Sequence, residues 1–261
     1  MTKLFKAWAS IFFLLALFTL LSPVFAPCFG DGLISEAMAF SQGGPLNLGY
    51  DYIGRPVAPQ LLSGGLDLLL ASVLTAVISR ILSFWIGVWL AVKQQSARLV
   101  RLVLDVFLVL PMAVVSLVSY IAFNGSVYAV IPSACVLTLP FSSRYYSALV
   151  RPVLQSSYFT YAKLRENSSL RLIQHEVLPV VAKNILTDLS QAFISAIYML
   201  SSVSFLGSLS SREKIIWPQM VANNLSGFSL NPWACLAPLI AILSLTVSLG
   251  NCIDALERKD K

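Results

Sequence analysis

Charge is what this sequence has least of: Asp, Glu, Lys and Arg make up 11% of its 261 residues, against about 25% in a soluble domain. So little charge cannot clothe a soluble surface, so the hydrophobic residues, 57% of the chain, must face lipid or one another. Histidine occurs once, as His175, and the four cysteines, Cys28, Cys135, Cys235 and Cys252, show no CxxC or other ligand spacing. That excludes a metal site built on sequence-local ligands, and the cysteines read as packing residues. A Cys28–Cys235 pairing on the outer side has nothing in the spacing to support it. No Gly-x4-Gly-Lys-Ser/Thr phosphate loop is present, so the chain does not itself hydrolyse nucleotide. Nor do His, Asp, Glu or Cys cluster as a multi-pass enzyme would require, and no cofactor or metal is expected. The alternative to be weighed is a proton- or ion-coupled secondary carrier. It would carry a buried carboxylate relay, inverted repeats and midplane ion sites, and none is visible.

Long uncharged runs are what the sequence does have. A span needs roughly 20 mostly apolar residues, and the runs place six helices at about Ala7–Phe25, Leu66–Val92, Leu99–Phe123, Val127–Leu149, Asn184–Leu206 and Trp233–Leu256. The third and fourth share one uncharged stretch from Asp105 to Arg144, divided at Asn124-Gly125-Ser126. The first helix starts behind Lys3 and Lys6 like a signal peptide, but Phe25-Ala26-Pro27 is a poor cleavage site, so it is expected to remain. The fold class is therefore all-α, a polytopic membrane protein with about six transmembrane helices.

The formal net charge of +6 follows the loops. One side receives Lys3 and Lys6, then Lys93, Arg98 and Arg101, then Arg144, Arg151, Lys163, Arg165, Arg171 and Lys183, and last Arg258, Lys259 and Lys261; the other receives only Arg55, Arg212 and Lys214. Cytoplasmic loops are enriched in Lys and Arg, so six spans put both termini in the cytoplasm. The basic charge thus reads as a topology signal and not as a nucleic-acid surface.

Two loops exceed simple connectors. The outer one, about Pro27 to Gly65, is rich in Gly and Pro. The inner one, about Val150 to Lys183, keeps a helical pattern: Tyr158, Tyr161, Ala162 and Leu164, then Glu166-Asn167-Ser168-Ser169, then Leu170, Leu172, Ile173, Val177, Leu178 and Pro179. This reads as helix, break, helix, ending at the proline. His175 lies here and reads as a surface residue.

At these residues the chain resembles the inner-membrane permeases of binding-protein-dependent ABC importers. Their cytoplasmic loop runs Glu-Ala-Ala, three residues, Gly, then Ile-x-Leu-Pro after a gap. Aligning Leu178-Pro179 with the final pair puts Thr160-Tyr161-Ala162 on the triplet and Glu166 on the glycine, with Asn167 beside it better suited to a positive φ. Further segments are similar to the oligopeptide/dipeptide/nickel branch of that family. They are Leu48-Gly49-Tyr50-Asp51-Tyr52-Ile53-Gly54-Arg55 before the second helix, Arg101 through Asp105 to Pro111, Ser204-Phe205-Leu206-Gly207, and Trp217-x-x-Met220.

The resemblance implies a type I importer permease in the bacterial inner membrane. Residues 1–65 would supply the N-terminal transmembrane helix and outer loop. Residues 66–261 would form a five-helix permease core with a cytoplasmic coupling loop at about 150–183. It implies as partners a second permease, two cytoplasmic ATPases and an external solute-binding protein, and as cargo peptides or nickel and metal chelates. Tyr161, Ala162, Lys163, Glu166, Asn167, Leu178 and Pro179 are then the ATPase-coupling residues; the bland reading is an amphipathic helix on the anionic leaflet.

Arg80, within the second span, must be solvated or paired. It either meets a substrate carboxylate or serves a structural pair. Asp105 and Asp188 read as helix-end residues satisfied by water or a neighbouring Arg. Pro111, Pro132 and Pro140 interrupt helices and mark either the pathway or kinks. The serines of the fifth helix, Ser195 and Ser202 among them, line a polar path or allow close packing. Arg80, Pro111, Ser195 and Ser202 are the candidate path residues.

Overall fold

The structure is a computed structural model that describes residues 2–29, 32, 34–35, 37–93, 98–124, 126–165, 168–206 and 215–257. The elements among them are helices, with one isolated bridge between Tyr50 and Pro56. They run α1 (Thr2–Phe25), α2 (Val57–Val92), α3 (Arg98–Val109), α4 (Met112–Ala122), α5 (Val130–Leu154), α6 (Ser157–Arg165), α7 (Ser169–Leu172), a π-helical turn (Ile173–Val177), α8 (Leu178–Leu206), α9 (Trp217–Asn224) and α10 (Trp233–Glu257).

Among the described residues, four helical stretches are long and apolar enough to cross a membrane, Lys6–Phe29, Val57–Val92, Leu170–Leu206 and Trp233–Ala255, and α3 with α4 adds a fifth if that bent pair is one span. Six were expected. The sixth, α5, has the length at 25 residues but not the apolar composition. Its inward face carries Ser142, Ser143, Tyr146 and Ser147, all buried. Those polar groups are tolerated because α5 lies against α2 and not lipid.

The α2–α5 seam is made by small residues, the usual means by which helices approach closely in a membrane. Ser72, Ser79, Ser83 and Gly87 follow one another down α2, all buried, and Cys135 Sγ of α5 reaches the Thr75 carbonyl at 3.7 Å. A Cβ on Gly87 would lie 2.7 Å from the Tyr146 Cβ and 2.8 Å from the Ser143 carbonyl oxygen. Gly87→Val should therefore force the helices apart at about 1–3 kcal/mol, seen as a lower thermal midpoint of the detergent-purified protein, with Gly87→Ala milder. An unchanged midpoint would refute the close approach.

Other boundaries moved for physical reasons. Helix α2 begins at Val57, not Leu66, because its first turns, with Gln60, Gly64 and Gly65 buried, are covered by the outer loop and α9 and need no apolar run. The expected helix Leu99–Phe123 is two helices bent by 79°. Pro111 caps α4 there with an extended backbone, as the missing N–H and the ring clash require. Pro132 and Pro140 do not break α5: the first sits in its opening turn, where no N–H bond is due, and the second is carried within the helix. Pro179 likewise ends nothing. The chain runs helically from Ser169 to Leu206, since the π-turn just before Pro179 relaxes the bonding that a proline would otherwise violate. The span expected to start at Asn184 thus has its root at the inner loop.

All four cysteines are free, with Cys135 and Cys235 buried. Arg101 donates to the Leu90 carbonyl at 3.4 Å, closing the end of α2 with a cation. Tyr128, between α4 and α5, donates to Asp67 at 2.7 Å. Partial desolvation first, then that bond and the carboxylate's charge, push its phenol up to about 12.

Candidate functional site

At one end is the loop expected from its sequence to be cytoplasmic. Helix α6 turns Phe159 and Ala162 toward the body and leaves Tyr158, Tyr161 and Leu164 outward, Tyr161 73% and Leu164 80% exposed. The spacing of three puts those side chains on one stripe. Lys163 is exposed beside them, as are Pro179 and, by 37%, Leu178. Glu166 and Asn167 lie outside the described residues. Ser156 Oγ accepts from the Phe159 N–H at 3.2 Å at the start of α6. Glu176, in the π-turn, accepts from the Tyr158 hydroxyl and lies 3.6 Å from Arg165, so the knob is tied to the root of α8. His175 is exposed, and no metal-holding group of three occurs among the described residues.

Above the loop, Val177 and Val181 pack with Phe84, Val88 and Ala91 of α2 and Tyr146 and Val150 of α5. One to two turns further up is a polar cluster. Arg80 of α2 lies with Nε 2.8 Å from Asp188 Oδ2 of α8, as a close ionic contact without hydrogen-bond alignment. Its guanidinium also donates to Ser142 Oγ of α5 at 2.5 Å, and the Tyr146 hydroxyl of α5 donates to Asp188 Oδ2 at 2.6 Å. The side chains of Arg80 and Asp188 are 10% and 14% exposed, and Tyr146 is fully buried. Arg80 is thus paired with the charge of Asp188 and bonded to Ser142. By contrast, Arg144 meets Asp105 at a half-exposed site where an ion pair adds little.

Along α8, Gln191, Ser195, Tyr198 and Ser202 are exposed at heptad-like spacing, Tyr198 by 56%. The Ser202 hydroxyl donates to the Tyr198 carbonyl at 2.8 Å. Ser195 and Ser202 therefore share a face, with Asp188 near its inner end, while Pro111 sits exposed at the α3–α4 corner and joins neither. Sequence reasoning missed Ser142, Tyr146, Gln191 and Tyr198. The last two were available from their spacing to Ser195 and Ser202; the first two had no signal beyond lying in an oddly polar span.

Just before the N-terminal end of α2, the residues Leu48 to Arg55 form a pinned turn. Asp51, almost fully buried, accepts from the N–H groups of Ile53 and Arg55 at 3.0 and 2.8 Å, from Arg55 Nε at 2.9 Å and from Gln60 Nε2 at 3.0 Å. Asn231 donates to the carbonyls of Leu48 and Tyr50, both at 3.0 Å, and Asn224 accepts from the Tyr52 N–H at 2.9 Å. Gly54 has φ +81°, and a side chain there would collide with the Ala37 carbonyl.

With this arrangement in view, the decisive comparison is with a family model, that of the binding-protein-dependent transport system inner membrane component, which matches residues 83–259. The chain belongs to this family. The matched segment opens in the C-terminal part of α2 and takes in α3, α4, α5, α6, α8 and α10; Arg80 lies just before it. Among relatives, the peptide transport system permease protein SapC of Haemophilus influenzae is 25% identical over 196 residues, covering 75% of this chain and 66% of that one. The di/tripeptide transport system permease protein DppC of Pseudomonas aeruginosa is 25% identical over 264 aligned positions, 96% of this chain and 87% of its own length. SapC of Escherichia coli is 24% identical over 208 residues, 79% and 70%. This family member is accordingly a multi-pass inner-membrane component of a transport system and not an enzyme.

Proposed function

We propose that this chain is the permease subunit of an ABC importer for peptides. It would line half of a transmembrane path, pair with a second, similar permease, take its driving motion from two cytoplasmic ATPases seated on the α6 knob, and receive cargo from an external solute-binding protein. The observation that carries this reading is the continuity from knob to path: α8, whose root is tied to α6, is the helix that bears Gln191, Ser195, Tyr198 and Ser202. A polar stripe on a membrane-crossing helix is costly against lipid and suits a wet cavity. The named relatives, all permeases of peptide transport systems, favour peptide cargo over nickel or metal chelates.

In this reading α5 counts as a sixth span despite its polarity, and both termini are cytoplasmic. Residues 1–65 and 66–261 act as an outer-loop unit and a core. A thiol placed on a wet face ionises and reacts, whereas one facing lipid does not. With the natural cysteines replaced, Tyr198→Cys in the assembled complex should react with a hydrophilic maleimide about ten-fold faster than Leu243→Cys on α10, because only the former is hydrated enough to ionise. Equal rates would overturn the assignment of the stripe to a water-filled path.

A further inference from the structure

Resting on the importer reading, we infer that Arg80, Asp188, Tyr146 and Ser142 form a charge-assisted clamp at membrane depth that fastens α8 to α2 and α5, so that displacement of the cytoplasmic knob moves all three helices together. They are positioning residues, acting on the path through the helices that they join.

The geometry is specific. A cation on α2 reaches an anion on α8 at 2.8 Å, and α5 contributes one partner to each: Ser142 to the guanidinium at 2.5 Å and Tyr146 to the carboxylate at 2.6 Å. No two of the three helices can separate at this level without stripping a partner from a nearly buried charge, which is far more costly than parting apolar surfaces. The clamp also sits at the right height. Below it, Val177 and Val181 of α8 are packed on α2 and α5, and above it the exposed stripe begins at Gln191. A push on α6 reaches α8 through Tyr158 and Arg165 on Glu176. Without a fastening at Asp188, α8 could yield by bending or sliding on the apolar contacts, and the stripe would move less than the knob. Arg80 is thereby occupied, so it is not the group that meets a substrate carboxylate.

The test uses the complete transporter, reconstituted with its ATPases and binding protein, and reads cargo imported per ATP hydrolysed together with the thermal midpoint. Asp188→Asn should leave ATP hydrolysis running and lower the import-to-ATP ratio by about two- to thirty-fold, the range spanned by residues that carry coupling between sites. The paired variant Arg80→Gln with Asp188→Asn removes both charges, so its midpoint should recover toward that of the natural protein while the ratio stays low. If the paired variant regains the ratio along with the midpoint, the cluster only stabilises the fold and the inference is wrong. A shift in apparent cargo affinity for Arg80→Gln, with the ratio unchanged, would overturn it in favour of substrate contact. Failure of the importer reading itself shows earlier and separately, as a natural complex that imports nothing with ATP, and it takes the clamp down with it.

Discussion

Asp51→Ala should be the most destabilising single change around the N-terminal end of α2, costing about 3–5 kcal/mol, the range for breaking a buried ion pair from one side. Four donors converge on this carboxylate, two of them backbone N–H groups, and Arg55 would be left buried with its main partner gone. The turn it organises is what Asn224 and Asn231 grip, so its loss should loosen the seating of α9 and α10 as well. The expected readout is a large drop in the thermal midpoint and yield of the purified chain. Asp51→Asn keeps an acceptor for the two N–H groups and should lose less. Equal midpoints for Asp51→Ala and the natural chain would show that the turn contributes nothing to stability.

Tyr161→Ala with Leu164→Asp should have the opposite profile, a stable protein that has lost its motor. Both side chains are mostly exposed, so the fold should change by about 0.5 kcal/mol or less. If the knob is an anchor in a groove of an ATPase, each buried aromatic or aliphatic contact there is worth about 2 kcal/mol or more. The pair should then weaken retention of the ATPase by at least about a hundred-fold, since each 1.4 kcal/mol is a factor of ten. Co-purification from detergent and ATP-driven uptake would both fall, while the thermal midpoint of the chain holds. Undiminished co-purification would leave the knob as a membrane-surface helix, the simpler reading of its basic flanks.

Membrane crossing was readable residue by residue because the cost of placing a charge in lipid is local. The stretches around α1, α2, α8 and α10 could therefore be located from their composition alone. Helix α6 was readable too, since Tyr158, Tyr161 and Leu164 repeat at helical spacing. Helix α5 was located, but by the gap between charges, and its polarity became intelligible only once α2 was found against it. The start of α2 was hidden for the related reason that protein, not lipid, covers residues 57–65. Pro179 misled because a proline's penalty is set by the turn before it, and the π-turn there is a tertiary outcome.

Fold class, membrane residence and the family resemblance thus follow from apolar run lengths, loop charge and short ordered motifs, all properties of the chain as written. Which groups meet does not. That Arg80 answers Asp188, that Ser142 and Tyr146 complete the pair, and that Asp51 gathers four donors depend on distances between segments far apart in the chain. Burial makes those encounters matter, because a charge withdrawn from water takes its energy from whichever partner the packing brings within reach.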